Sequence, residues 1–178
     1  MDDAARIAEL EAALERSRAE TRAAFQNRAQ IYSALYDELA DQLGDERATV
    51  LMKRAIFNRG LEVGRKYRDA ASAGDLDTIG RIFCEGSPCA GTLFTPGVEE
   101  SSEGRIVLRM TTCPLEEAWT AEGRSSEQVD RLCEIAAAVD EGTFEGAGLD
   151  LVFLDRLGIA GSSRCLLELK LRETADQG

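Results

Sequence analysis

The stretch "RIVLRMTTCPLEEAW", residues 105–119, decides how this chain folds. Its first half alternates. Ile106, Leu108 and Met110 fall on one side of an extended strand, with Val107, Arg109, Thr111 and Cys113 on the other. Its second half changes period at Cys113-Pro114. Proline is favoured at the first position of a helix, so Pro114 predicts a helix start with Cys113 as its N-cap. Glu116 stands three residues on, where the acid of a capping box would stand.

Working outward, "GTLFTPGVEESS", residues 91–102, reads as the partner strand across a short polar turn. Upstream of it the pattern is helical. Ile7, Leu10 and Leu14 recur at spacings of three and four, and Phe25, Tyr32, Leu35 and Leu39 continue the stripe, which predicts a helix over residues 3–42. Gly44 suits its C-cap and Asp45 the next N-cap. A second helix is expected over 46–71, with Gly60 and Gly64 four apart on one face, where another element can approach closely. A third, short helix follows Asp75.

Downstream, "CPLEEAWTAEG" predicts a short helix ending at Gly123. "SSEQVDRLCEIAAAVDEGTFEG" predicts a longer one capped by Ser125 or Ser126. "LDLVFLDRLG" and "RCLLELKLR" read as two further strands, the last with Cys165, Leu167, Leu169 and Leu171 on its apolar face. The order is helices, strand pair, helices, strand pair. The expected class is therefore α+β, a helical N-terminal half packed on a four-stranded, mostly antiparallel sheet. The expected division is a helical extension over 1–24, one domain over 25–172 and a frayed tail over 173–178. The extension either packs on a partner subunit or projects, and a homodimer is compatible with it.

The 178 residues suit one domain of ordinary size, and 44% hydrophobic with 30% charged residues is a globular profile. No apolar run approaches the ~20 residues needed to span a bilayer. The acidic, charge-rich N-terminus lacks the pattern of a secretory signal, so a cytoplasmic location is expected. A formal net charge of −12 argues against nucleic acid and against anionic membrane surfaces as partners. A small molecule is the expected partner.

The chain has five cysteines, an odd number, and no histidine. Without histidine there is no Ser-His-Asp triad, Cys-His dyad or HExxH zinc site. Acid–base work falls to Asp, Glu, Cys, Tyr or Lys. Cys113, at a helix N-terminus, is either a small apolar filler or a thiol whose thiolate the helix dipole favours. Glu116 and Glu117 oppose that effect. Cys133 and Asp140 lie two turns apart on one face of the long helix, with Val129 and Ala136 between and beside them. An aspartate on a mostly apolar face is paired, caps backbone amides in "EGTFEGAG", or serves chemistry. Three thiols and Asp140 could also form a zinc site, but no CxxC pair supports it, and no resident cofactor is expected. "CEGSPC", residues 84–89, is an equally weak signal. Trp119, four residues after Leu115, is a core residue or a pocket wall.

Taken together, "NRAQIYSALYDELADQLGDERATVLMKRAIFNRGLEVGRK", "CPLEEAW", "LCEIAAAVDEGTFEG" and "LGIAGSSRCLLEL" resemble the L-2-amino-thiazoline-4-carboxylic acid hydrolase-like family. The resemblance runs from about residue 25 to 171. Its most specific pieces are Cys113-Pro114, Leu132-Cys133 with Asp140, and Gly161 with Cys165. It implies hydrolytic opening of a thiazoline or related C–N/C–S bond in a small carboxylate substrate. The pocket would lie between the sheet and the helices that follow Cys113 and precede Gly142. On that reading the Cys113 thiolate attacks the amidine-like carbon, Asp140 or Glu116 positions water and moves protons, and Cys133 joins the catalytic set. Arg109, sharing a strand face with Cys113, would pair with the substrate carboxylate, and Cys165 and Trp119 would line the pocket. Two other readings use the same residues: isomerisation by reversible thiolate addition, and a non-catalytic small-molecule-binding or sensor domain.

Overall fold

A computed structural model describes residues 3–172; the expected tail over 173–178 lies outside the described residues. Helix α1 spans Asp3–Leu43, α2 Asp45–Val63, α3 Arg68–Ser72 and α4 Leu76–Glu85. Strands β1 (Pro96–Ser102) and β2 (Arg105–Met110) follow. Next come α5 (Pro114–Ala121) and α6 (Ser126–Ala147), then β3 (Leu149–Asp155) and β4 (Cys165–Leu171). The four strands form one sheet in the order β1-β2-β4-β3, every neighbouring pair antiparallel. The fold is α+β, as the alternation of helical and strand periods requires.

The local chemistry of residues 105–119 explains the middle of the fold. Ile106 and Leu108 are fully buried on the inner face of β2, opposite Leu169 and Leu167 of β4. On the outer face Arg105 bridges Glu100 and Glu168. Pro114 opens α5, and Trp119 is fully buried, its Nε1–H donating to the Ala29 carbonyl at 2.8 Å. That bond ties α5 to α1 and leaves no buried indole donor unpaired.

α6 is the central helix. A capping box fixes its start: the Ser125 hydroxyl accepts from the Gln128 amide, and the Gln128 side chain accepts from the Ser125 amide. Its glycines meet those of α2. A Cβ on Gly60 would lie 2.3 Å from the Val139 carbonyl oxygen, and one on Gly142 2.0 Å from that of Phe57. The expected close approach is thus α2 on α6, with small residues on both sides. Two apolar clusters result. One joins α1, α2, α5 and the first half of α6. The other joins the inner face of the sheet, α3, α4 and the second half of α6.

Several boundaries differ from expectation. Asp45 is the first residue of α2 rather than its cap; Gly44 occupies the N-cap with φ 82°. Asp45 instead accepts a hydrogen bond from the Tyr36 hydroxyl at 2.9 Å and pairs with Arg131 at 2.8 Å. The helix expected over 46–71 is interrupted by a 3₁₀ turn at Gly64–Tyr67, where Gly64 backs directly onto the Thr143 carbonyl. β1 starts at Pro96, because residues 88–95 form a tight turn holding Cys89, Ala90 and Thr95 at positive φ. On α1, Ala29, Ser33 and Tyr36 are the buried positions, and Phe25 and Leu39 pack against the first cluster. Ile7, Leu10, Leu14 and Leu35 are at least half exposed. Among the described residues, no helix is long and apolar enough to cross a membrane.

Candidate functional site

A cavity of about 270 Å³ lies where the two apolar clusters meet. Its wall is built by α6 (Cys133, Ala136, Asp140), by α5 and the residues before it (Cys113, Leu115, Trp119), and by the inner face of the sheet (Met110, Phe153, Cys165). Tyr67 and Phe94 contribute aromatic surface. An engineered apolar cavity of ~150 Å³ accepts benzene, so this volume suits a ligand of about one ring with substituents.

The cavity gathers Cys113 and Trp119, Cys133 and Asp140, and Cys165, which come from three separate stretches of the chain. Arg109 and Glu116 are not part of its wall. β2 ends at Met110 and the chain bends before α5, so the alternation that put Cys113 and Arg109 on one face stops short of Cys113. Cys113 turns inward, while Arg109 stays outside and pairs with Glu99 at 3.0 Å. Glu116 accepts a hydrogen bond from the Thr120 hydroxyl at 3.0 Å on its own helix.

Asp140 is the unusual member. Among the described residues its carboxyl group has no hydrogen bond and no ion pair, so the amides of "EGTFEGAG" do not cap it. It keeps some accessible surface only because it faces the cavity. Burial, with a smaller contribution from Glu141, pushes its pKa up to about 7. A carboxyl poised there can both take and give a proton near neutrality.

The thiols go the other way from a reactive cysteine. Cys113 holds the N-cap backbone position without a side-chain capping hydrogen bond. Burial pushes its thiol up to about 11, outweighing the favourable pull of the Glu116 and Leu115 amides. Burial also raises Cys133, and it takes Cys165 to about 12 although the Leu157 amide donates to the Cys165 sulfur at 3.3 Å. Cys133 is further covered by Gly158, whose φ is 99° and whose missing side chain leaves room for the sulfur. Iodoacetamide labelling at pH 8 is therefore expected to be at least about tenfold slower at these three sites than at a free thiol. Rapid labelling of Cys113 in the folded protein contradicts this. Among the described residues, no three Cys, Asp or Glu side chains are grouped to hold a metal ion.

Arg156 is one of the wall residues that sequence reading missed. The register of β3 against β4 shifts between Phe153 and Asp155. Strict alternation would send Arg156 outward with Val152 and Leu154; the bulge reverses the parity and turns it inward. Its Nη2 donates to Asp130 at 2.6 Å. Tyr67 and Phe94 were missed because they come from turns whose position only packing sets.

No curated protein shows significant similarity to the chain. Among solved structures it is similar to the phenol-responsive sensory domain of the transcription activator PoxR with phenol. The identity is 19%, over 80% of this chain and 73% of that one, with a TM-score of 0.48. The profile of the L-2-amino-thiazoline-4-carboxylic acid hydrolase family matches residues 24–157, which include Cys113, Cys133, Asp140 and Arg156. By that match over most of its length, the chain belongs to the L-2-amino-thiazoline-4-carboxylic acid hydrolase family.

Proposed function

We propose that the cavity hydrolyses a C–S or C–N bond in a small cyclic carboxylate of the 2-amino-thiazoline type, with Asp140 as the proton-transfer group. The observation that carries this reading is the Asp140 carboxyl, without hydrogen bond or ion pair, facing a mostly apolar cavity where burial pushes its pKa up to about 7. In its ionised form Asp140 takes a proton from water as the oxygen adds to the amidine-like ring carbon. Asp140 passes that proton to the ring nitrogen as the C=N bond becomes single. When the adduct collapses to a C=O bond, Asp140 takes its hydroxyl proton and gives it to the departing sulfur as the ring C–S bond breaks. One water is consumed and the product is a ring-opened carbamoyl thiol. The apolar wall excludes bulk water and strengthens every electrostatic interaction at the reacting carbon.

Cys113 faces the same space. A thiol at about 11 is ionised in only about one molecule in ten thousand at pH 7, so it attacks only if Asp140 removes its proton in the same step. The proximity of the two groups, felt in the electrostatics of Cys113, favours this as the second reading. Cys113→Ser separates the two. With water as the nucleophile the variant is expected to keep kcat/KM within about tenfold, because serine caps a helix at least as well as cysteine. With thiolate attack it is expected to lose about 10³-fold or more.

The proposal is tested by following ring opening of 2-amino-thiazoline-4-carboxylate against pH. Activity requires the Asp140 carboxylate, so kcat/KM is expected to rise with pH and level off above about 7. A flat profile from pH 5 to 9, or no turnover of any 2-amino-thiazoline carboxylate, sinks it.

A further inference from the structure

The charge around the cavity is opposite to that of the protein. The chain carries a formal net charge of −12, yet the ionisable wall residues besides the thiols and Tyr67 are Arg28, Lys66, Arg156 and one carboxyl, Asp140. Arg28 and Lys66 form no ion pair among the described residues; their charged ends lie over the rings of Phe25 and Tyr67, at 4.5 and 4.9 Å. Arg156 is more constrained. Its backbone amide donates to the Asp155 carboxylate at 2.8 Å, and its Nη2 is held by Asp130 at 2.6 Å. Yet its Nε is buried with no hydrogen-bond partner, alone among the buried side-chain nitrogens and oxygens of the described residues. A guanidinium presents five N–H donors, and leaving one buried and unpaired is costly. The bulge in β3 that turns this side chain inward is the kind of irregularity that re-aims a residue toward a ligand.

We propose that Arg156 is the anion anchor of the cavity, its unpaired Nε–H donating to the carboxylate of the bound ligand while Asp130 holds Nη2. A small adjustment of the guanidinium about the Asp130 contact brings Nε to the ligand. This assigns to Arg156 the role that strand alternation gives to Arg109. The assignment rests on the cavity being the ligand site, but not on any bond being cleaved.

Binding therefore tests it apart from turnover. The probes are thiazole-4-carboxylate and thiazole-4-carboxamide, which share a ring and differ in charge. Calorimetry on the full chain is expected to show the carboxylate bound about 10- to 100-fold more tightly, the range of a charge-assisted hydrogen bond. In Arg156→Gln the preference is expected to fall below about twofold while carboxamide affinity stays within about twofold. Arg156→Lys keeps the charge without the planar fork and is expected to retain part of the preference. Circular dichroism on both variants confirms that the fold is intact. If Arg156→Gln keeps the full preference, the anchor is another cation and the assignment is overturned. Equal affinity for both probes in the wild type, or binding of neither, overturns it as well. Absence of hydrolysis with the carboxylate preference present and dependent on Arg156 leaves the anchor standing and removes only the hydrolase reading.

Discussion

Asp140→Asn is expected to lower kcat/KM for ring opening by about 10²–10⁴-fold, the range typical of losing a positioned general acid–base group. The amide has the shape of the carboxyl but cannot carry the proton. The same substitution is expected to act on stability in the opposite sense. Folding raises the pKa of Asp140 from the ordinary aspartate range to about 7. The folded state therefore holds the proton over a window where the unfolded chain has released it. Asp140 does not weaken the fold below its unfolded pKa, where both states are protonated. The penalty grows as pH rises through that window and is complete above about 7, where the folded protein must carry a buried, unpaired charge. Asparagine removes that charge. At pH 8.5 the variant is thus expected to melt at a higher temperature than the wild type; the gap is expected to narrow at pH 5 and to close only at about pH 3.8 and below. A residue that merely supports the fold would lose stability when replaced. Full activity in Asp140→Asn, or a pH-independent fall in melting temperature, contradicts the assignment.

Gly142→Ala is expected to destabilise the protein by about 3 kcal/mol, the upper end of ordinary overpacking. The added Cβ would fall 2.0 Å from the Phe57 carbonyl oxygen and 3.1 Å from the Gly60 Cα, both backbone atoms. No rotamer change relieves a clash with main chain, so α2 and α6 must separate. α6 carries Cys133 and Asp140 two residues and more upstream of the contact, so the separation also opens the cavity wall. Urea unfolding is expected to show a lower midpoint, together with weaker binding of ring-sized ligands. Gly148→Ala is the contrasting case. It meets no neighbour within 4 Å, and its cost comes only from φ of 89° at the C-cap of α6. A loss at Gly142 no larger than that at Gly148 argues against close packing of the two helices as a major support of the site.

The class of fold was legible because its signals are local. The period change at Cys113-Pro114, the glycine pair at residues 60 and 64, and the serine caps near residue 125 each depend on residues within a few positions of one another. The pairing of Cys133 with Asp140 was also legible, since helix geometry alone puts them on one face. Burial was harder. Leu35 fits the apolar stripe of α1, yet Ala29, Ser33 and Tyr36 are the positions that face the core. Sequence period marks a stripe but not the neighbour it meets.

By itself, then, the sequence determined the α+β class and the order of helices and strands, and through the family resemblance it named Cys113, Cys133, Asp140 and Cys165 as candidates. Tertiary structure decided what those groups are. Burial pushes the Cys113 thiol up and leaves Asp140 as the group that titrates near neutrality, reversing what the helix dipole alone suggests. It also decided that Arg156, and not Arg109, faces the cavity. A single bulged residue in β3 turns Arg156 inward, and the early end of β2 leaves Arg109 outside. Desolvation and strand register are properties of the packed chain, and both depend on contacts between residues distant in sequence.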